Sequence, residues 1–460
     1  MVITIDMLNP NVIETQYAVR GPIIILAQEL EKKGKKMYYF NIGNPQQLGQ
    51  QPLTYVREVL SLLHFPKLLS NLLIEKLYSK YSIDVARFIM EKNPIGLGAY
   101  SQSAGISFIR EAVSDFITKR DNIPVSQENI FLTDGASKGV DLILQSLIKD
   151  KNDGILVPIP QYPLYSADIA LFGGTQVNYY LDEENNWSLN IDYLEAAIQK
   201  AKSKGISVRG LVIINPSNPT GSLLSEKNMN DIISFAETYD LAIIADEVYQ
   251  ENIYIPGDKF VSFAKLIANK NSKLPLFSFH STSKGFLGEC GYRGGYIEMR
   301  NISDEVRDIL LKIRSIGLCA NTSGQIMTYL MVKPPEKDED SYDLYQEEKF
   351  SILSSMARKS KLLAKGLDKI GGINCQPPSG AMYLFPKLSF PTNKDYKGMP
   401  PDFQFCKQLV LDEGIVTVPG SGFGQLPGTF HLRMTILPQE SDIPLILERF
   451  EQSYKKFISS

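Results

Sequence analysis

The stretch NIFLTDGASKGVDLILQSLIKDKNDGILVPIP, from Asn129 to Pro160, spells out a strand, a helix and a second strand. NIFLTDG is an apolar run that ends in turn residues. After it, Val140, Ile143, Leu144, Leu147 and Ile148 recur at spacings of three and four, so one apolar helix face is predicted. GILVPIP is apolar without alternation, as expected of a strand covered on both faces. Further runs of this kind follow at TQVNYY (175–180), GLVIIN (210–215), LAIIAD (241–246) and PLFSFH (275–280). Strands alternating with amphipathic helices from about Gly98 to Met299 predict a three-layer α/β/α unit with a mostly parallel sheet. Ligands bind such sheets where loops leave the carboxyl ends of the strands. The polar groups DGAS, NPSNPTG, DEVY and HSTSK all fall at those ends.

Beyond Met331 the acidic run KPPEKDEDSYD reads as an exposed loop, followed by a long helix to about Ile370. The strand candidates AMYLFP, GIVTVPG and FHLRMTIL then predict a smaller α+β domain. A helix opening at Pro22, with proline at its first position, is expected to join it. The expected division is residues 1–97 as a segment serving the small domain and a dimer interface, 98–332 as the large domain and 333–460 as the small one. A chain of 460 residues suits two domains.

A net charge of -3 gives no reason to expect nucleic acid or an acidic membrane surface as a partner. No apolar run reaches the length of a membrane span. The N-terminus MVITIDMLNP shows no signal-peptide pattern. Cys290, Cys319, Cys375 and Cys406 lack CxxC spacing, which favours reduced thiols and a cytoplasmic location. With only three histidines, a histidine-based metal site is not expected.

SFHSTSKGFLGECGYRGGY (278–296) sets Lys284 among three hydroxyls and five glycines, with Arg293 nine residues on. A lysine attacks carbonyls only as the free amine, so its ordinary pKa of ~10.4 has to fall, through burial or a positive neighbour. Hydroxyls at Ser281, Thr282 and Ser283 are donors, the glycines admit close backbone approach, and Arg293 suits a phosphate. Gly135, Ala136 and Ser137 open a helix and form a ready anion site, with Asp134 or Ser137 as ordinary caps. Asp246 and Tyr249 end a strand, where a carboxylate can hold a proton on a heterocycle nitrogen. NPSNPTG is a turn by composition, and Asn218 can aim its amide inward. Arg433 lies in an apolar strand, where an unpaired guanidinium is costly, so either an internal acid or a substrate carboxylate has to neutralise it. His431 beside it reads as packing. GSGFGQLPG (420–428) misses the phosphate-loop spacings and reads as a flexible loop.

In this order, the Lys284 flank, NPSNPTG, ADEVY and Arg433 resemble the class I/II aminotransferases that depend on pyridoxal 5'-phosphate. The longer strings IPQYPLYSA, SGAMYLFP and GTFHLRMTILP, with YAVRGPI and NIGNPQ near the start, resemble the alanine aminotransferase family in particular. The resemblance implies an aspartate-aminotransferase-like fold and a role for each matching residue. Lys284 would hold the cofactor and later move the proton from the substrate carbon. Asp246 would keep the pyridine nitrogen protonated, and Tyr249 and Asn218 would bond the phenolic oxygen. Tyr162 would stack on the ring. Ala136, Ser137, Ser281 and Arg293 would hold the phosphate, joined by Tyr100 from the other subunit of a homodimer. Arg433, assisted by Gly43 and Asn218, would clamp the substrate α-carboxylate. Arg20 is a candidate for the distal carboxylate of glutamate. Ser217 departs from the glycine expected there.

The activity so implied converts L-alanine and 2-oxoglutarate to pyruvate and L-glutamate by a ping-pong cycle. Glutamate–glyoxylate transamination is the alternative in the same fold. A C–S lyase or synthase, or a cofactor-binding regulator without turnover, are the others considered.

Overall fold

The computed structural model describes residues 3–17 and 21–459. Pro22 stands at the first position of the helix Pro22–Lys32, where its missing N–H costs nothing. That helix buries Ile23 and Ala27 in the core of the small domain and leads to strand β1 (Tyr38–Tyr39).

The Asn129–Pro160 stretch folds as its pattern predicts. β2 (Ile130–Leu132) and β3 (Asp153–Ile159) flank the helix Ala136–Leu147, whose Val140, Ile143 and Leu144 are buried. β4 (Thr175–Asp182), β5 (Ser188–Leu189), β6 (Ser207–Ile214), β7 (Ala242–Asp246), β8 (Leu276–Ser281) and β9 (Gly295–Arg300) complete one eight-stranded sheet of order β2-β9-β8-β7-β6-β3-β4-β5. β4, β3, β6, β7 and β8 are mutually parallel, while β9 runs against both neighbours and β5 against β4. β9 grows out of the glycine-rich flank of Lys284, whose composition gave no strand signal.

Two cores sandwich the sheet. On one face Ile243 and Ala245 pack with the helices Ile191–Lys202, Glu226–Thr238 and Phe263–Asn269. On the other face Ala242 and Ile244 pack with the helices Ala136–Leu147 and Leu164–Leu171. Successive residues of one strand thus serve opposite layers, which is why its sequence is apolar throughout. A third core gathers the helices Thr54–His64, Lys80–Lys92, Ser107–Asp121 and Thr322–Val332 against β2 and Tyr296 of β9.

The helix Tyr342–Asp368 links the large domain to the small one: Tyr345 is buried in the third core, and Leu363 and Leu367 in the small-domain core. The acidic loop before it is anchored, because Asp340 accepts from the amides of Lys80 and Tyr81. The small domain holds β10 (Ile373–Asn374), β11 (Tyr383–Leu384), β12 (Lys387–Leu388), β13 (Ile415–Val416), β14 (Val418–Pro419) and β15 (Leu432–Thr435). β15 lies between β11 and β14, and β13 pairs in parallel with β1, which ties the N-terminal segment to this domain.

Candidate active site

β7 ends at Asp246, and Lys284 follows β8 by three residues, so both project from the carboxyl edge of the sheet. The turn after β6 and the helix opening at Ala136 reach the same edge, and β15 of the small domain closes over it. Together they enclose a cavity of about 720 Å³. Every residue to which the resemblance gave a role lies on its wall except Tyr100, while Gly135 and Thr282 do not line it and Arg20 falls outside the described residues.

Lys284 Nζ donates to the carbonyl of Gly43 at 2.9 Å. Gly43 has to be glycine here. A Cβ on it would lie 2.2 Å from Tyr383 Oη and 3.3 Å from Lys284 Nζ. Asp246 is 6% exposed; its Oδ2 accepts from Tyr165 Oη at 3.0 Å, and its Oδ1 has no partner. Burial pushes this carboxyl up to about 6, although Tyr165, the Val248 amide and the charge of Lys284 each pull it down. A buried carboxylate oxygen without a donor, on a cavity wall, suits a protonated heterocycle nitrogen.

Nearby is an anion cradle. Gly135 caps the helix Ala136–Leu147 without any side-chain hydrogen bond, so capping by Asp134 or Ser137 does not occur. Asp134 Oδ1 instead accepts from the amide of Asn321. The first amides of a twelve-residue helix therefore stay free for a ligand. Arg293 turns toward them: its Nη2 donates to the Asp134 carbonyl at 3.1 Å and to Ser137 Oγ at 3.4 Å, and its Nη1 to Ser283 Oγ at 3.4 Å. A Cβ at Gly135 would lie 2.4 Å from Nη2, so the glycine admits the guanidinium. Ser281 Oγ, also on the wall, donates to the Gly294 carbonyl at 3.2 Å.

Arg433 lies across the cavity, 2% exposed. No carboxylate among the described residues pairs with it. Its Nη2 donates to the Asn41 carbonyl at 2.8 Å and its Nη1 to Asn218 Oδ1 at 3.3 Å, while Nε has no partner. The guanidinium lies over the rings of Tyr383 and Phe423, at 4.5 and 4.7 Å. Phe423 corrects the reading of GSGFGQLPG as a flexible loop: its side chain is fully buried, and its carbonyl accepts from the amide of Gln161. His431 is packing, as expected, stacked on Phe385 at 4.7 Å with Glu183 3.0 Å from Nε2.

Tyr249 donates to Tyr383 Oη at 3.3 Å, and Tyr162 exchanges a 2.8 Å hydrogen bond with Tyr17 of the N-terminal segment. Ser217 is buried at a turn, and its φ is not positive, so the departure from glycine needs no strained backbone. Tyr100 is 74% exposed and lines a separate open hollow beside Phe88 and Phe108. Tyr165, Asn41 and Phe423 were not singled out from the sequence. Tyr165 sits in the quoted string IPQYPLYSA, but nothing local marks which of its two tyrosines faces Asp246.

A free lysine, a carboxylate with an open oxygen, an uncapped helix with its arginine, and a second arginine opposite fit pyridoxal 5'-phosphate and an amino acid. Fold and site define a pyridoxal-phosphate enzyme of the aminotransferase type. The family described as aminotransferase class I and II matches residues 83–450. The chain is 48% identical to alanine aminotransferase 1, mitochondrial, of Arabidopsis thaliana, over 99% of this chain and 87% of that one. It is 46% identical to glutamate–glyoxylate aminotransferase 1 of the same plant, over 99% and 96% of the two chains. The structure of an alanine aminotransferase from Pyrococcus furiosus superposes with a TM-score of 0.79 at 26% identity, covering 98% of this chain and all of that one. The chain belongs to the class I and II aminotransferases and, within them, to the alanine aminotransferase family.

Proposed function

We propose that this chain transfers the amino group of L-alanine to 2-oxoglutarate, giving pyruvate and L-glutamate in a ping-pong cycle. The observation that carries the reading is Arg433, a buried guanidinium without an acidic partner among the described residues, facing the cavity that holds Lys284. Desolvating a guanidinium this far is costly unless a carboxylate arrives to pair with it, and an α-carboxylate offers the planar fork it fits. Ala136, Ser137, Ser281 and Arg293 would hold the cofactor phosphate, Tyr162 would cover the ring, Tyr249 and Asn218 would meet its phenolic oxygen, and Asp246 Oδ1 its nitrogen. When bound, pyridoxal phosphate supplies the conjugated ring that accepts the electron pair left on the substrate carbon. Lys284 would take the proton from that carbon.

The same reading includes a homodimer, supported by the outward position of Tyr100, and a cytoplasmic location, supported by four free cysteines. Among the described residues no helix is long and apolar enough to cross a membrane. The Arabidopsis relative is named mitochondrial, so cell fractionation decides the location. For the domains, the proposal keeps 98–332 as the cofactor-binding unit and 333–460 as the smaller one, joined by the first part of the N-terminal segment, whereas the segment's helices Thr54–His64 and Lys80–Lys92 pack in the core beside β2 and β9 of the large domain. The packing of Ile23 and Ala27 in the small-domain core supports it.

Glutamate–glyoxylate transfer is the second reading, favoured by the relative of that name. Pyruvate release from L-alanine with 2-oxoglutarate, glyoxylate and oxaloacetate as acceptors tests the proposal. It expects 2-oxoglutarate to be the best acceptor. Strong preference for glyoxylate, or no release with any acceptor, would overturn it.

A further inference from the structure

Asn252 is fully buried where the turn after β7 meets the turn that carries Lys284. Its main chain is used up: the N–H donates to the Tyr249 carbonyl at 2.8 Å, and the carbonyl accepts from the Ala381 amide at 3.0 Å. A Cβ on Gly380 would lie 2.6 Å from that carbonyl oxygen, so glycine admits the small-domain chain here. The side chain meets Gly285, the residue after Lys284. Oδ1 accepts from the Gly285 amide at 3.0 Å, and Nδ2 donates to the Gly285 carbonyl at 3.4 Å and to Met356 Sδ at 3.5 Å. Gly285 lies outside every helix and strand, at φ 68°, and Asn252 is the one partner of its N–H and C=O among the described residues. An N–H facing Oδ1 and a C=O facing Nδ2 fix the orientation of the amide, since the reverse would set donor against donor.

We propose that Asn252 is the positioning residue of Lys284, fixing the main chain beside it so that Nζ reaches the substrate carbon. This role rests on the function proposed above. That function asks Lys284 to hold the cofactor and then, once released, to take the proton from the substrate. Nζ ends a flexible four-carbon stem, so its reach is defined only if the backbone that carries it is held. The flank itself gives little hold. Gly285, Gly288 and Gly291 leave its backbone free, and the Gly288 amide meets the Lys284 carbonyl only at 3.4 Å. Before Lys284, Ser281 Oγ accepts from the Ser283 amide at 3.2 Å; after it, the Asn252 clasp takes both peptide groups of Gly285. Without the clasp those buried groups lose their partners and the turn has to shift. The bonds to Tyr249 and Ala381 are main-chain bonds and survive a change of side chain. Substrate capture belongs to Arg433, so loss of the clasp should slow proton removal and leave KM for alanine unchanged.

Two arms test this. In the full-length chain freed of cofactor, hydrogen–deuterium exchange is read on peptides that span Gly285. Its amide should exchange about tenfold faster or more in Asn252→Leu, which keeps the volume and loses both bonds, than in the wild type. In the holoenzyme, the pyruvate released from L-alanine in a single turnover is timed per cofactor-holding chain, so that empty chains do not count. Asn252→Leu should slow it about a hundredfold, the scale of a misplacement of about 1 Å, with KM unchanged. Asn252→Asp is the rescue. As the protonated acid it offers a C=O and an O–H in the pattern of the amide, and as the carboxylate it sets a charge against the Gly285 carbonyl. Its rate relative to wild type should climb about tenfold as pH falls from about 8.5 to about 6, while that of Asn252→Leu stays flat. Unchanged exchange at Gly285, a normal rate per filled site in Asn252→Leu, a loss confined to KM, or parallel pH profiles of the two variants would overturn the assignment. With normal turnover in the wild type, any of these defeats the role of Asn252 alone. No pyruvate from the wild type defeats the functional reading and this role with it.

Discussion

Tyr165 gives its phenolic hydrogen to Asp246 Oδ2 at 3.0 Å and leaves Oδ1 without a partner on the cavity wall. The tyrosine is fully buried, so one carboxylate oxygen is fixed from behind and the other is presented forward. On the proposed reading, the cofactor nitrogen would meet a carboxylate already oriented toward it.

Removing that hydroxyl should loosen the presentation without changing the fold. Tyr165→Phe is expected to weaken pyridoxal phosphate binding by about tenfold, the scale of one hydrogen bond to a charged group. Asp246→Ala should leave covalent attachment to Lys284 intact and slow transamination by about a thousandfold or more, because the ring nitrogen loses its anion. Equilibrium dialysis and steady-state rates measure the two effects. Unchanged affinity in Tyr165→Phe would show that Asp246 needs no anchor.

Asp246 also makes the cofactor-free chain sensitive to pH. Its carboxyl is raised from 3.8 to about 6 in the folded state. A raised value means that the favourable contribution is fully present below about 3.8 and is lost as pH rises through about 6. Asp246→Asn does not titrate, so its stability relative to wild type should rise across that window by on the order of 3 kcal/mol. Glu247 and Asp168, both raised to about 7, act with the same sign in both proteins and cancel in the difference. Urea unfolding of both proteins at several pH values measures it, and a flat difference contradicts the burial argument.

Gly43→Ala tests how tightly the domains meet at the site. The added methyl lands 2.2 Å from Tyr383 Oη, so the tyrosine has to move off Arg433. Displacement by about 1 Å at such a site costs on the order of a hundredfold in rate. That loss should appear in kcat/KM for alanine, with phosphate binding at the Arg293 cradle retained. Wild-type kinetics would mean that Tyr383 has room the structure does not show.

The sheet was legible because its strands are runs of buried residues, and burial on both faces leaves a local record in Ala242–Asp246. Lys284 was legible for the same reason, since its donors and glycines adjoin it in sequence. What escaped depends on partners far along the chain. Asp134 looked like a cap, yet it serves Asn321, 187 residues away. Phe423 sat in a glycine-rich string that promised mobility, and only the return of β15 alongside β14 places its ring on Arg433. Tyr165 became visible once Asp246, 81 residues on, was placed opposite it.

Tyr100, exposed and not on the cavity wall of its own chain, is expected to complete the site of a second copy. Tyr100→Ala and Lys284→Ala chains, each nearly inactive alone, should then form mixed dimers with one intact site and about half the activity of the wild-type dimer. Co-expression with two tags and purification on both measures it. Mixed dimers no more active than the parents would place Tyr100 outside the shared site.

The central claim is that Lys284 and Arg433 together run an amino transfer from alanine. Its most direct measurement is pyruvate released from L-alanine by the holoenzyme with no keto-acid acceptor present. The account predicts a single burst of about one pyruvate per chain that then stops, restarts on adding 2-oxoglutarate, and is absent from Lys284→Ala. Continuous release without an acceptor, or a burst of the same size from Lys284→Ala, would contradict it.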